Sequence, residues 1–242
     1  MKYSIIILCA GLGSRFEKKT KKLPKGLLKL NKKELLLWQL ENILKSQIEI
    51  KDFHIVTGFK HHLIQRFYKL KLKNIKLFFH HNKYFKETGC ISSFFRGIKN
   101  TQNNIIYFNS DLVVSVKVLN RLIKDDKNYI PCRKKINKKK TILQDVKIYK
   151  NKVIKMDLNL KEKTFYEAVG PVKLNIKSIK TIKLIKKNNK ITDLIKLPCY
   201  SFFGKYAKNI NLNFFEIKDK EWHEFNNVND LISSKNKNLF NN

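Results

Sequence analysis

The chain of 242 residues is long enough to bury a full core as one domain, and its 43% apolar and 12% aromatic content argues against a disordered tail. A formal net charge of +33 points at first to nucleic acid or anionic lipid, yet only five of the 52 basic residues are arginine (Arg15, Arg66, Arg96, Arg121 and Arg133). Nucleic-acid readers favour arginine for its bidentate contacts, whereas lysine with abundant Asn and Ile is what A/T-rich codons produce. Nucleic acid is therefore not an expected partner, although a positive field still gathers small anions such as nucleotides and phosphate esters.

In chain order, Ile5-Ile6-Ile7-Leu8 reads as a buried strand over residues 3–8. Met1-Lys2 ahead of residues 4–10 mimics a short secretion signal, but the apolar core of about six residues falls below the roughly 7–15 required. No later run approaches the ~20 apolar residues of a membrane span, so the expectation is a cytoplasmic protein with no membrane partner. Cys9, Cys90, Cys132 and Cys199 show no CxxC spacing and read as buried free thiols of a reducing compartment.

The strand empties into residues 11–25, Gly-Leu-Gly-Ser-Arg-Phe-Glu-Lys-Lys-Thr-Lys-Lys-Leu-Pro-Lys. A Gly-rich turn after a strand presents backbone N–H groups to an anion, and Arg15 and Lys25 add fixed positive charge. A dinucleotide fingerprint is excluded because Phe16 stands where its third glycine belongs, and no Gly-Lys-Ser/Thr closes a Walker A loop.

Beyond this loop the pattern predicts helices over 35–46, 61–68 and 90–99 between strands over 53–57, 75–79 and 104–108. Leu36, Leu40, Ile43 and Leu44 share one helix face. Strands alternating with helices imply βαβ units and a parallel sheet, with ligands outside the carboxyl ends of the strands. The second half predicts strands over 129–132, 142–149, 153–156 and 212–217, basic turns over 134–140 and 150–152, and helices over 176–187 and 191–196. No repeat or Pro/Gly/Ser linker divides the chain. It reads as one domain, with a nucleotide-binding half over 1–125, an acceptor-binding half over 126–235 and a frayed tail over 236–242.

Several landmarks recur in a fixed order. Gly-x-Gly-Ser-Arg, Thr20 and Pro24-Lys25 precede Leu27, Leu30 and Leu35-Leu36. Glu87-Thr88-Gly89-Cys90-Ile91-Ser92-Ser93 opens a helix, and Asp111 follows a strand. Glu167-Ala168-Val169-Gly170 and the stretch Trp222-His223-Glu224-Phe225-Asn226 come later. Taken singly, Asp111 suits a turn or cap and Ser92 or Ser93 an N-cap. Taken together they resemble the nucleotidyltransferases that activate sugar phosphates and phosphocholine, with the nearest likeness to bacterial phosphocholine cytidylyltransferases. The resemblance covers positions 3–114 and, beyond them, only these landmarks.

That resemblance implies an α/β fold, a three-layer α/β/α sandwich with a mixed, mainly parallel sheet, as in nucleotide-diphospho-sugar transferases. It implies transfer of a nucleoside monophosphate, CMP from CTP, onto phosphocholine or a similar phosphate or phosphonate, in the service of cell-surface polysaccharide synthesis. Arg15 would neutralise the departing pyrophosphate and Lys25 would contact the α-phosphate. Leu8, Ala10, Gly11, Leu12, Gly13, Ser14, Thr88 and Ser92 would bind the nucleotide. Mg²⁺ would sit on Asp111 and Asn226, and Glu167, Gly170 and Trp222 would face the acceptor.

One departure is Asn226, where the family carries an acidic residue. An amide is a weaker Mg²⁺ ligand than a carboxylate, so either Glu224 or Asp230 compensates, or Asp111 and the triphosphate suffice, or activity is reduced. The pairs His61-His62 and His80-His81 point apart and predict no zinc site. A quaternary ammonium acceptor would need an aromatic cage, for which Tyr166, Tyr200, Phe202, Phe203 and Trp222 are candidates. Two rival readings remain: a sugar-1-phosphate nucleotidylyltransferase using UTP, dTTP or GTP, and a catalytically impaired polyanion-binding protein on the same fold. The sequence leaves the oligomeric state open.

Overall fold

The structure is a computed structural model that describes residues 1–16, 20, 22–135, 143–158 and 160–234. The expected frayed tail over 236–242 and most of the basic turn over 134–140 lie outside the described residues.

The first strand, β1 (Lys2–Cys9), is central and buried on both faces, which is why it reads as an unbroken apolar run. Tyr3, Ile5 and Ile7 point into one core, and Ile6 and Leu8 into a second. A short hairpin, β2 (Lys29–Leu30) and β3 (Lys33–Glu34), turns through Asn31 and Lys32, both at positive φ, and leads into α1 (Leu35–Lys45). Next come β4 (Glu49–Thr57), α2 (His61–Lys71), β5 (Leu77–His81), α3 (Cys90–Gly97) and β6 (Asn104–Asn109). Strands β5, β4, β1 and β6 lie side by side, and every pairing among them is parallel. Apolar residues of α1 and α2 fill the first core and those of α3 the second, so helices cover both faces.

A short strand β7 (Leu112–Val114) and helix α4 (Val116–Leu122) close this half. The second half holds β8 (Asn128–Lys134), β9 (Gln144–Tyr149), β10 (Lys152–Asp157), β11 (Tyr166–Ala168) and β12 (Val172–Leu174). It continues with α5 (Ile176–Asn188), α6 (Ile191–Leu194), α7 (Cys199–Lys205), β13 (Leu212–Glu216), β14 (Trp222–Glu224) and α8 (Val228–Ser234). Strand β12 runs antiparallel between β6 and β8 and joins the halves. Strand β11 pairs with both β8 and β9, so β8, β11, β9, β10 and β13 form a closed ring.

The expectation of a mainly parallel sheet is therefore corrected. The sheet is mixed, as expected, but not mainly parallel: only β8–β13 is parallel in the second half, and the other pairings there are antiparallel. The cause is local. Strands β9 and β10 are joined by Lys150-Asn151, both at positive φ, the two-residue turn that returns a strand directly alongside its predecessor. A parallel return would need a crossover of a dozen or more residues.

Two further differences concern helices. The predicted helix over 191–196 is a single turn: the Ile195 carbonyl accepts from the Gly89 N–H, the Leu194 carbonyl from the Leu197 N–H, and Pro198 caps the next helix. Helix α7, which the pattern does not predict, is built from Cys, Tyr, Ser, Phe and Gly, all poor helix formers, up to its final Lys205. Its Phe202 and Phe203 are held by burial in the second core.

Candidate active site

The carboxyl ends of β1 and β6 open into a pocket of about 310 Å³. Its walls come from the loop after β1, the loop after β6, the segment before α3, and Asn226. Gly13 holds the first loop in shape. Its φ is +66°, and a Cβ there would stand 3.0 Å from the Lys25 side chain. The Gly13 carbonyl accepts from Phe16 N–H at 2.9 Å and from the Thr20 hydroxyl at 3.0 Å, closing the turn on itself. Arg15, on the outside of this turn, is exposed and lines the pocket.

Asp111 is placed by its neighbours. Gln39 of α1 donates to the carbonyls of Asn109 and Leu112, at 2.8 and 2.5 Å, and clamps the loop between β6 and β7. The Phe225 N–H donates to the Asp111 carbonyl at 3.0 Å. Strand β14 pairs antiparallel with β7, with Glu224 opposite Leu112. Residues more than a hundred positions apart thus converge, and Glu224 and Asn226 flank the contact to Asp111.

The electrostatics of this corner are unusual. Lys25 Nζ is ion-paired with Asp111 Oδ2, while Asp111 Oδ1 is buried with no partner among the described residues. Asn226 donates from Nδ2 to Glu224 Oε2 at 3.1 Å. Burial and the negative charge of Asp111 push the Glu224 carboxyl up to about 7, against the pull of Asn226, Lys25 and Arg15. Two carboxylates, one with an orphaned oxygen and one that resists ionisation, are what a bound cation would relieve. Their hard oxygens, an amide oxygen and phosphate oxygens together suit a small divalent ion. Asp230 is used otherwise: its Oδ2 accepts from the backbone N–H of Asn226 at 2.6 Å and of Asn227 at 2.9 Å.

Of the expected residues, Leu8, Ala10, Gly11, Gly13, Ser14, Arg15, Lys25, Thr88, Asp111 and Asn226 line this one pocket. Leu12 is exposed beside it. Ser92 faces a neighbouring groove, and Ser93, one position on, lines the pocket instead. Cys90 also lines it; the Cys199 thiol and, to a lesser extent, the Cys199 N–H, which donates to the Cys90 Sγ at 2.9 Å, lower its pKa against the effect of burial.

Glu167, Gly170 and Trp222 lie outside the pocket walls. Arg133 binds the buried Glu167 carboxylate at 2.9 Å and stacks over the Trp222 ring at 5.3 Å. The Gly170 carbonyl accepts from the Tyr200 hydroxyl at 2.8 Å. Burial, Glu224 and Asp111 all raise the pKa of that hydroxyl, which links Gly170 to the carboxylate corner.

The five candidate cage aromatics do not gather. Phe202 and Phe203 are core side chains, edge-on to Phe95 and Phe94, and Tyr166 packs on Phe214. The histidines pair across the sheet edge: His54 Nδ1 lies 2.9 Å from His80 Nε2, and the rings of His61 and His81 are 4.7 Å apart. Among the described residues no helix is long and apolar enough to cross a membrane.

Glu224 is a member of the site that the sequence offered only as an alternative to Asp230. Its signal was its place two residues before Asn226, on a strand that presents alternate side chains to one face.

The MobA-like NTP transferase domain family matches residues 5–135, more than half of the chain, and the chain belongs to that family. No protein of curated function matches it. Among solved structures it is similar to the inositol-1-phosphate CTP transferase from T. maritima, with 16% identity and a TM-score of 0.79 over 98% of this chain and 97% of that one. It is similar to the CTP:phosphocholine cytidylyltransferase from Streptococcus pneumoniae, with 19% identity and a TM-score of 0.73 over 97% and 98%. A UDP-glucose pyrophosphorylase complexed with UDP-glucose has 14% identity and a TM-score of 0.77 over 98% of each chain. These likenesses establish the nucleotide-diphospho-sugar-transferase-like α/β fold over the length of the chain.

Proposed function

We propose that this protein transfers a nucleoside monophosphate, CMP from CTP, onto a small phosphorylated acceptor such as phosphocholine and releases pyrophosphate. The observation that carries this reading is one pocket that brings together a Gly-rich turn, Arg15, Lys25 and the Asp111 carboxylate. CTP is favoured because two of the similar structures are, by name, enzymes that act with CTP.

A phosphate oxygen of the acceptor attacks the α-phosphorus, and the bond from that phosphorus to the bridging oxygen of pyrophosphate breaks. The attacking oxygen is already ionised, so no proton must be removed. The protein supplies position and charge. Backbone N–H groups of residues 11–14 hold the triphosphate, and Arg15 neutralises the charge that builds on the leaving pyrophosphate. Lys25 exchanges its ion pair with Asp111 for the α-phosphate. Asp111, Glu224 and Asn226 would hold Mg²⁺, which when bound neutralises phosphate charge.

A second reading, a sugar-1-phosphate acceptor, is favoured by Arg133. Its guanidinium already covers a face of Trp222 and would repel a quaternary ammonium there, while suiting hydroxyl or phosphate groups. Pyrophosphate release across a matrix of nucleoside triphosphates and acceptors tests both. Turnover that requires CTP and phosphocholine supports the lead, and turnover with a sugar phosphate supports the second reading. No release with any pair, alongside salt-sensitive RNA binding, overturns both in favour of a polyanion binder.

A further inference from the structure

Behind the pocket, sharing Thr88 as a common wall, lies a second groove of about 620 Å³ between α3, the end of α5 and α6. Arg96 and Lys99 of the α3 segment, Lys186 of α5 and Lys196 beyond α6 line it, against a single carboxylate, Glu87. None of these four cations is ion-paired with a carboxylate among the described residues. The Arg96 Nε is buried and has no hydrogen-bond partner among them.

That orphaned donor is informative in a chain whose basic residues are nearly all lysine. Arg121 donates to the Glu216 carbonyl, Arg133 holds Glu167, Arg15 lines the pocket, and Arg66 is exposed. Arg96 alone combines a half-buried position with a buried, unpartnered guanidinium Nε. A buried donor without an acceptor is costly, more so when charged, so an anion is the complement the site lacks. Burial and the charges of Arg96 and Lys99 also depress the Lys186 pKa, a sign of crowded positive charge.

The groove is coupled to the pocket by backbone. The Gly89 N–H donates to the Ile195 carbonyl at 2.7 Å, and a Cβ on Gly89 would strike the Lys196 and Leu197 carbonyls at 2.6 Å. Opposite the cations, Ile191, Ile195 and the 55% exposed Tyr84 ring offer apolar contact.

We infer that this groove is a second anion site that takes a diphosphate group, free or carried by an organic moiety, and that its occupancy acts on the nucleotide pocket through Thr88 and Gly89. The inference of coupling rests on the proposed nucleotide function; binding in the groove does not depend on turnover. Inorganic pyrophosphate titrated calorimetrically into the full chain tests it. Two equivalents are expected for the parent chain and one for Arg96→Gln. Lys25→Gln keeps the groove equivalent, and the double variant loses both. The pair Lys99→Gln and Lys186→Gln should weaken the groove equivalent at least tenfold without touching Arg96. In Lys25→Gln, pyrophosphate should shift the backbone amide resonances of Thr88 and Gly89.

Cytidine diphosphate in parallel distinguishes the sources, a conjugate binding more tightly than pyrophosphate where Tyr84 and Ile191 meet its organic part. A single equivalent in the parent that Arg96→Gln leaves intact, two equivalents in Arg96→Gln, or an Arg96-dependent preference for oligouridylate over pyrophosphate would overturn the site. A single equivalent lost in Arg96→Gln and kept in Lys25→Gln would leave the groove standing and count against the nucleotide pocket. Unshifted Thr88 and Gly89 resonances on binding would overturn the coupling.

Discussion

In the parallel half, β1 and β6 end at the same edge and release loops whose charged groups, Arg15, Lys25 and Asp111, converge on one pocket. In the antiparallel ring the charged groups turn on each other: Arg133 binds Glu167 at 2.9 Å, and Lys135 binds Asp145 at 2.5 Å. The difference follows from strand direction. Parallel strands place all their carboxyl ends together, so polar loop residues meet where a ligand can reach them. Antiparallel neighbours alternate ends, and a charged residue inside the ring must find its partner within the protein or cost stability.

Substituting one arginine in each half should separate the two behaviours, with the largest effects of all. Arg15→Ala should lower kcat by roughly 10²–10³-fold, the scale of one lost charge stabiliser, while thermal unfolding moves by no more than about 0.5 kcal/mol. Arg133→Ala should do the reverse to stability, costing roughly 3–5 kcal/mol, because the Glu167 carboxylate stays buried without its cation. Equal losses of stability in both variants would erase the distinction.

Glu224 sits at the seam, on the strand β14 that carries second-half residues to the Asp111 loop. Its folded pKa of about 7 lies above the ordinary carboxylate value, so the folded chain binds more protons than the unfolded one between roughly pH 4.5 and 7. Stability should therefore fall as pH rises through that window. Glu224→Gln should stabilise the chain at pH 8 by up to ~3 kcal/mol and leave pH 4 unchanged, measured by urea unfolding at each pH. A flat difference across pH would place Glu224 away from Asp111.

The parallel half has its own titrating pair at the β4–β5 edge, the buried His54 and the half-buried His80. Burial and His54 push the His80 pKa down to about 4, so the unfolded state binds the extra proton between roughly pH 6.5 and 4. Stability should drop as pH falls through that range, and His80→Asn should remove about 1–2 kcal/mol of the drop, read from the same unfolding series. The smallest effect belongs to the ring's hairpin. Lys150 is at φ +44°, where a β-carbon is strained, and Lys150→Gly should raise stability by about 0.5–1 kcal/mol in thermal unfolding.

Much of this was legible in residue order, for physical reasons. A strand buried on both faces is an unbroken apolar run, so β1 shows itself as Ile5-Ile6-Ile7-Leu8. The turn that follows needs a residue at positive φ, so Gly13 marks it. The helix face of Leu36, Leu40 and Ile43 is visible because its contacts recur at helical spacing, although Leu44, read onto the same face, is exposed. Phe202 and Phe203 were not legible: an aromatic side chain carries the same letter in a core as in a cage. Strands β11, β12 and β14 are three residues long, too short for any period to register.

By itself, then, the sequence determined the alternation of the first half, the Gly-rich turn after β1 and the family, because those depend on contacts near in the chain. Only the tertiary structure decided that Glu224 takes the Asn226 side chain while Asp230 is spent on the backbone N–H groups of Asn226 and Asn227, and that Arg133 ties Glu167 to Trp222. Those outcomes depend on the register of β14 against β7 and on the closure of the ring through β11. Both are pairings between distant segments, and the energy that fixes them lies in no local stretch of the chain.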